Sequence, residues 1–487
     1  MRRACLFLVA AAMASCVVGC AATGKRAAGR TAGAVELSVR ETRIAVEEPG
    51  LILSRSVAVS PRLDAVAYVL KREGALTVVR NGREEATYEK VRGYGMTFSP
   101  DGRHLAYVAG KGDKRFMVVD GVAGKEYDDM DRPVWSADSA HLTYTVRRGD
   151  KCFAVLDGEE GPPYEWLDPN APGSLWLLVS PAIGPAGEPI AYPATLGGEF
   201  FVVVDHTEGK HYEWLLEPYV VMSADGKHMG YLACEDGLCF AVVDAVEGKH
   251  YASVDEGSIT LSPEGGHIAY RAFDGEKQFA VVDGVEGPEC DSIDDIVFSR
   301  DGRNWGYVAK RSGAFAVVTN TGEKSDGYTY AGRPSYSPDG AHMAYAATRG
   351  KESFVVRDGV EGEKCEGAGR PIWSTDGRLA YAVQQGGKVA MWVDGGVQEK
   401  YDAIAQAAFS PNGEHFAYLA KRGDKWLVVV DAASSREYDG WPVSHGGRVR
   451  WDYDYIACDD AGKAHAVFQD EKGFLLVEAE APQRVPR

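Results

Sequence analysis

Serine, histidine and aspartate side chains recur at fixed spacing in this chain and could in principle supply nucleophiles or metal ligands. The histidines share one position, five residues after a recurring serine: His104, His141, His228, His267, His342 and His415. The aspartates share another, two residues after that serine: Asp101, Asp138, Asp225, Asp301, Asp339 and Asp376. A catalytic residue is usually unique, whereas repeated serines and aspartates are typical of turns. We therefore expect structural hydrogen bonds at these positions, and neither a metal nor another cofactor.

Motifs of familiar enzyme classes do not occur in the sequence. G-x-S-x-G, H-E-x-x-H, C-x-x-C and a Gly-rich loop ending in Gly-Lys-Ser/Thr are all missing. The Asp-Gly turns also lack the alternate oxygen spacing of an EF-hand loop. The sequence thus favours a protein that is not an enzyme, although an active site assembled from several repeats stays open.

One segment combines aromatic and acidic side chains in an unusually long repeat unit. It contains the residues of a candidate binding loop: Tyr164, Glu165, Trp166, Asp168 and Trp176. The extra length of the third and fourth units lies in 166–177 and 183–188. Long loops at the rim of a scaffold often bind partners, but aromatic rings also pack as core between repeats. Both interpretations stay open.

Two of the nine cysteines flank a short predicted hairpin turn. Cys234 and Cys239 would face each other across adjacent strands, where an oxidising compartment would permit a disulfide. Cys290 and Cys365 occupy equivalent positions two repeats apart, so we expect them not to meet.

The element that positions all these residues is a repeat, seen most clearly in 98–130. A Ser-Pro-Asp-Gly turn precedes an apolar strand, a second turn precedes a β-branched strand, and Asp120-Gly121 opens a return strand. The recurring serines are 36 to 44 residues apart: Ser60, Ser99, Ser136, Ser180, Ser223, Ser262, Ser299, Ser337, Ser374 and Ser410. An eleventh, degenerate copy follows near 449–469.

Four short strands in a period near forty residues predict the blades of an all-β propeller. The repeats extend over 35–480, with about ten to eleven four-stranded blades. This number exceeds the usual four to eight blades of one ring. We expect two consecutive rings, divided near 252–258, or one large ring.

The pattern S-P-D-G-x-H-x-A-Y followed by V-V-D-G resembles the propeller repeats of the TolB-like, or WD-like, family. The likeness covers roughly residues 57–477, most of the chain, and it implies the propeller fold. The repeat departs from the true WD repeat, which ends on Trp-Asp, and from the sialidase Asp-box. Family members bind envelope proteins, gate peptidases or serve as binding modules, so the resemblance does not choose among these functions.

The first twenty residues resemble the signal peptide of a bacterial lipoprotein. Arg2 and Arg3 precede an apolar run, and Val-Val-Gly-Cys ending at Cys20 resembles a lipobox. This similarity implies a signal peptide at 1–19, lipidation of Cys20 and a tether at 20–34. Ala21 after the cysteine favours the outer membrane, facing the periplasm. The alternative is an ordinary signal peptide cleaved near Ala22.

The remaining ends have simpler interpretations. A strand at 35–39, or the segment 51–54, could pair with the C-terminal repeat and close the ring. Residues 481–487 read as a frayed tail.

The net charge of -18, or -20 once Arg2 and Arg3 are removed, disfavours nucleic-acid binding and direct binding to anionic lipid. We expect a lipid-anchored envelope protein that binds other envelope proteins without catalysis. The alternative is a propeller that binds or cleaves glycans, and a third interpretation is a decayed peptidase gating ring.

Overall fold

A computed structural model describes residues 37–46, 52–53, 56–92, 95–165, 180–443 and 456–480. These residues form eleven antiparallel sheets that follow one another along the chain as the blades of a β-propeller. Among them, none forms a helix of the length and hydrophobicity needed to cross a bilayer. The fold is therefore all-β, as the repeat predicts.

Each blade has four strands, named a to d in the order in which they pair across the sheet. In blades 1 to 10 this order is also the order along the chain, and the blades are numbered along the chain. The a strands, mostly split in two, are Ala58–Val59, Lys90–Val91 with Thr97–Phe98, Asp129–Met130 with Val134–Trp135, Ala182–Ile183, Trp214–Met222, Ser253–Val254 with Thr260–Leu261, Ser292–Ile293 with Val297–Phe298, Tyr330–Ala331 with Ser335–Tyr336, Gly367–Ala368 with Ile372–Trp373, Ala403–Phe409, and Trp441–Pro442 with Ile456–Cys458. The b strands are Val66–Arg72, Leu105–Lys111, Leu142–Arg148, Ile190–Leu196, Met229–Glu235, Ile268–Asp274, Trp305–Arg311, Met343–Arg349, Leu379–Gln385, Phe416–Arg422 and Lys463–Asp470.

The two outer strands of each blade complete the sheet. The c strands are Ala75–Arg80, Lys114–Val119, Lys151–Leu156, Glu199–Val204, Leu238–Val243, Lys277–Val282, Ala314–Thr319, Glu352–Arg357, Lys388–Val393, Lys425–Val430 and Gly473–Glu480. The d strands are Arg83–Tyr88, Val122–Tyr127, Glu159–Glu160 with Tyr164–Glu165, Thr207–Glu208, Val246–Glu247, Val285–Glu286, Gly322–Tyr328, Val360–Glu361, Gly396–Val397, Ala433–Ser434 and, for blade 11, Ser38–Ala45. The a strands of neighbouring blades contact one another, which places them at the hub.

The Asp-Gly turn between strands c and d follows directly from residue type. Asp120 has φ 48° and Gly121 has φ 81°, so both central residues are left-handed, as in a two-residue hairpin turn. The preceding b strand Leu105–Lys111 is buried except at its last residue. Strands a and b of each blade are therefore covered on both faces by neighbouring blades, as expected for stacked sheets.

The first strand of the chain closes the ring. Ser38–Ala45 pairs in antiparallel register with Gly473–Glu480, so it is the outer strand of the last blade. Tyr68 of blade 1 then packs on Phe474 of blade 11, with ring centroids 5.1 Å apart. The closing strand expected at 35–39 is thus found at 38–45, while Ile52 instead forms a bridge to Leu70 within blade 1.

One large ring, not two, is what the chain forms. The stretch 252–258, where a ring boundary was expected, lies inside the contact between blades 5 and 6. A single apolar cluster there joins Leu216 and Leu232 of blade 5 to Val254, Tyr270 and Phe279 of blade 6. Blade-to-blade packing therefore continues through this stretch.

The fourth repeat is assigned differently by the structure than by sequence spacing. In every turn the first residue receives a backbone bond from the third residue after it, as Gly102 N donates to Ser99 O. In blade 4 Gly187 N donates to Gly184 O, so the recurring position is Gly184 and not Ser180. Residues 183–188 are consequently the ordinary turn, and the extra length of the third unit lies between Tyr164 and Gly184.

The antiparallel order gives the ring two unlike faces. The a–b and c–d turns lie on one face, which we call the turn face. The b–c hairpins and the d–a connections lie on the other, which we call the hairpin face. Ser38 pairs with Glu480 at the far end from the b–c hairpin of blade 11, so the chain enters the ring at the turn face.

Candidate functional site at the inner rim of blades 6 to 8

The recurring serine is the centre of a hydrogen-bond network within each turn. Ser99 is fully buried, its Oγ donates to Asp101 Oδ1 at 2.6 Å, and it accepts a bond from the His104 backbone N–H at 3.0 Å. The bond from Ser99 is the main reason that the pKa of Asp101 is lowered. The serine and aspartate are thus used to hold the turn.

Each recurring histidine is paired with the aspartate of the c–d turn in its own blade. His104 Nδ1 lies 2.6 Å from Asp120 Oδ2, and Asp120 Oδ1 accepts the Leu105 backbone N–H at 3.0 Å. The other five pairs are His141–Asp157, His228–Asp244, His267–Asp283, His342–Asp358 and His415–Asp431. The expected structural hydrogen bonds are therefore confirmed.

Other side chains at the histidine position also form a hydrogen bond with the residue of the c–d turn. In blade 9 Arg378 Nε donates to Asp394 Oδ2 at 2.7 Å, and in blade 7 Asn320 Nδ2 donates to Asn304 Oδ1 at 3.1 Å. Within the described residues, no three His, Cys, Asp or Glu side chains are grouped so that they could hold a metal ion.

The histidines also contact the turn of the next blade. A Cβ at Gly187, which has φ +92°, would lie 2.5 Å from His141 Cδ2. The hydrogen bond to the Asp157 carboxylate raises the pKa of His141, because it favours the charged imidazolium. The repeated glycine therefore allows this blade-to-blade contact.

The candidate binding loop is only partly described. Tyr164 is buried in the core between blades 3 and 4, which matches the packing interpretation of this aromatic ring. Glu165 Oε2 accepts the Gly197 backbone N–H at 3.0 Å. The other three residues, Trp166, Asp168 and Trp176, lie outside the described residues, as does Cys20.

The cysteines occupy the places that the repeat suggests. Cys234 and Cys239 form a disulfide across strands b and c of blade 5, with Cα atoms 4.0 Å apart. The remaining described thiols, including Cys290 and Cys365, are unpaired with one another. Burial raises the pKa of the Cys152 and Cys458 thiols to about 12, so neither thiol has the character of a nucleophile at neutral pH.

A charged cluster lies at the hub, where the a strands of blades 6 to 8 are split. We call it the inner-rim cluster; it consists of Asp255, Arg271, Asp294, Asp295 and Arg333. Asp255 and Asp294 occupy equivalent positions, since each donates its backbone N–H to the b strand of its own blade. The cluster thus spans three consecutive blades.

Arg271 joins the first two of these blades. Its guanidinium pairs with Asp255, donates to the Ile293 carbonyl at 3.1 Å and lies 3.4 Å from Asp295 Oδ1. The side chain is only 16% exposed. A guanidinium held in this way by two carboxylates and a carbonyl is a fixed part of the wall.

Arg333 joins the third blade to the second. Its Nη2 lies 2.6 Å from Asp295 Oδ2 and 3.4 Å from Asp294 Oδ1. Asp294 and Asp295 remain half exposed, at 50% and 51%. Exposed Glu256 follows Asp255 in the chain, so these six residues comprise four carboxylates and two guanidinium groups, with a formal charge of -2.

This arrangement can recognise a charged partner. Sequence reasoning missed it, although one signal was present. Nine residues after the recurring serine the chain has Val69, Val108, Leu232, Val308 and Leu419, all apolar and buried. In the sixth repeat the same position is Arg271, and a charge in a core position indicates a special role.

No protein-family model matches the sequence, and no curated protein matches it. Among solved structures, the chain is similar to a eukaryotic initiation factor (TM-score 0.40, 13% identity, covering 74% of this chain and 89% of that chain). It is also similar to TolB from Acinetobacter baumannii (TM-score 0.25, 14% identity, 72% and 82% covered) and to the Cps50 (Swd1) β-propeller domain from Myceliophteria thermophila (TM-score 0.26, 9% identity, 56% and 96% covered). At these TM-scores the whole ring does not superimpose on theirs, and the fold rests on its own eleven sheets.

Proposed function

We propose that this chain is a lipid-anchored protein of the bacterial envelope whose propeller binds another envelope protein at the inner rim, without catalysing a reaction. The observation that carries the proposal is the inner-rim cluster. It brings together five charged residues of three consecutive blades at the hub and leaves two of its carboxylates half exposed. The repeated serines, histidines and aspartates, by contrast, are already bonded within their own turns.

The chemistry of the cluster suggests the chemistry of the partner. The formal charge of -2 of the cluster and Glu256 together favours a segment that presents a lysine or arginine side chain. Such a side chain would pair with Asp294 and Asp295, whose carboxylates Arg271 and Arg333 hold in place. Charge complementarity of this kind mainly sets specificity and the rate of association.

The proposed anchor is a lipid on Cys20, in the outer membrane and facing the periplasm, as the similarity of the first twenty residues to a lipoprotein signal peptide implies. Replacing Cys20 by Ser should release the protein from membranes and abolish its labelling by palmitate; retained labelling would contradict the anchor.

Site-specific photo-crosslinking in native envelopes tests the binding proposal. Benzoylphenylalanine replaces Glu256, which lies beside the cluster, or Val285, which is exposed on the outer strand of the same blade. We expect one dominant protein adduct from position 256 and none from position 285. Equal adducts from both positions, or adducts to glycan alone, would contradict the proposal.

A further inference from the structure

A small cavity lies between blades 3 and 4, next to the last described residue before the insertion. Its volume is about 20 Å³, and its lining includes Thr145, Cys152, Tyr164, Glu165 and Tyr192. A void of this size is sufficient for one water molecule, which needs at least about 10–15 Å³, and is far too small for a sugar or a cofactor.

The cavity is polar, because buried hydroxyl groups of its lining residues have no hydrogen-bond partner within the described part of the chain. They are Thr145 Oγ1, Tyr192 OH and Thr195 Oγ1, on side chains that are 5%, 3% and 0% exposed. Leaving such groups unsatisfied is costly, so buried hydroxyls nearly always find a protein or water partner.

Two other blade contacts pair their tyrosine hydroxyls directly. Between blades 1 and 2 Tyr88 OH lies 3.2 Å from Tyr107 OH, and between blades 7 and 8 the hydroxyls of Tyr328 and Tyr345 lie 3.3 Å apart. The corresponding Tyr164 and Tyr192 rings are in contact, with centroids 6.3 Å apart. Their hydroxyls, however, form no such pair, since Tyr192 OH is without a partner in the described structure.

The residue that faces Tyr192, Thr145, also differs from the residues at the same position in other blades. At the position of Thr145, nine residues after the recurring serine, blade 2 has Val108 and blade 7 has Val308. A hydroxyl group therefore replaces a methyl group on the side of the contact that faces Tyr192, so the cavity has polar groups on both sides.

We propose that this cavity holds one ordered water molecule, which bridges Thr145 Oγ1 and Tyr192 OH. The water takes the place of the direct tyrosine pair of the two other contacts and completes the packing between blades 3 and 4. The proposal is independent of the proposed function, since it concerns the contact between two blades and not the inner rim.

Two measurements on the full chain test the proposal. A crystal structure of the protein should show density for one water within hydrogen-bond distance of Thr145 Oγ1 and Tyr192 OH. Thr145→Val should lower the melting temperature by about 2 °C, because the water loses a partner and Tyr192 is left unsatisfied. Thr145→Ser keeps the hydroxyl and should retain the water.

Val108→Thr is the matched control, because it introduces the same hydroxyl at the equivalent position between blades 2 and 3. We expect this variant to lower the melting temperature without gaining a water. A dry cavity in the wild-type crystal would overturn the proposal. So would an unchanged or raised melting temperature for Thr145→Val, since removing a hydroxyl from a dry site relieves an unsatisfied group.

Discussion

The turn face and the inner rim of blades 6 to 8 use aspartate in opposite ways. On the turn face Asp120 accepts bonds from its own blade, at 2.6 Å from His104 and at 3.0 Å from a backbone N–H, and this arrangement recurs around the ring. At the inner rim Asp295 instead pairs with arginines of two neighbouring blades, Arg271 and Arg333. Repetition therefore separates residues that maintain the fold from residues available for recognition.

The contrast has a physical basis. A residue that satisfies the backbone of its own blade is needed wherever that blade geometry recurs, so it recurs with the blade. A residue that contacts a partner is needed only where the partner binds. The same reasoning extends to Arg271, whose position is apolar in most other repeats.

The largest expected effect is on a tyrosine of the repeated core. Tyr107 is fully buried and its hydroxyl lies 3.2 Å from that of Tyr88. Tyr107→Ala should lower the free energy of unfolding by about 3–5 kcal/mol, because it leaves a large cavity between blades. Tyr107→Phe, as the control, removes only the hydroxyl and should cost about 1 kcal/mol in denaturant titrations. If Tyr107→Ala lowered the free energy of unfolding by less than Tyr107→Phe does, this result would contradict the conclusion that repeated residues maintain the fold.

A smaller effect is expected from the recurring serine. Ser337 is fully buried, its Oγ donates to Asp339 at 2.5 Å and it accepts the His342 backbone N–H at 2.9 Å. Ser337→Ala should cost about 1–3 kcal/mol, because a buried N–H loses its partner. Ser335→Ala, two residues earlier and less buried, is the control and should change stability by less than about 0.5 kcal/mol. An equal loss of stability in Ser337→Ala and Ser335→Ala would contradict a stabilising role of the hydrogen-bond network in the turn.

A still smaller effect should appear in the pH dependence of stability. The hydrogen bond that His141 makes to the Asp157 carboxylate raises the pKa of His141 in the folded protein, so the charged imidazolium contributes stability. This contribution is full below the unfolded pKa of about 6.5 and is lost as pH rises through the higher folded value. The side chain is 36% exposed, so solvent screening keeps the effect small.

The comparison of wild type with His141→Gln isolates that contribution. The melting temperature of the variant should fall below that of the wild type at pH 5.5, by about 1 °C, and the two should converge by pH 8.5. A gap that widens with rising pH would show that the pair does not stabilise the folded state through the charged histidine.

The fold was largely predictable, because turn residues and strand residues recur with a fixed period. The sequence could not give the number of rings, since the contact between blades 5 and 6 is built from the same apolar positions as every other contact. The spacing of the serines also predicted the fourth recurring position at Ser180, whereas in the structure Gly184 holds the fourth turn. The inner-rim cluster was missed because Arg271, Asp295 and Arg333 lie on three different blades and meet only when these blades stack.

The smallest expected effect on stability, and the largest on binding, belongs to the inner rim. Asp294 and Asp295 are half exposed, so Asp294→Asn with Asp295→Asn should change the free energy of unfolding by no more than about 1 kcal/mol. The same double variant should weaken binding of a basic partner about tenfold, because it removes two negative charges from the rim.

The most direct test measures the yield of the protein adduct from benzoylphenylalanine at position 256 in three backgrounds: wild type, the double asparagine variant and Ser337→Ala. Melting temperatures are recorded for the same proteins. We expect the rim variant to lose most of the adduct while keeping its melting temperature, and Ser337→Ala to keep the adduct while melting earlier. An adduct that survives in the rim variant, or that follows the melting temperature across all three proteins, would contradict a binding site at the inner rim.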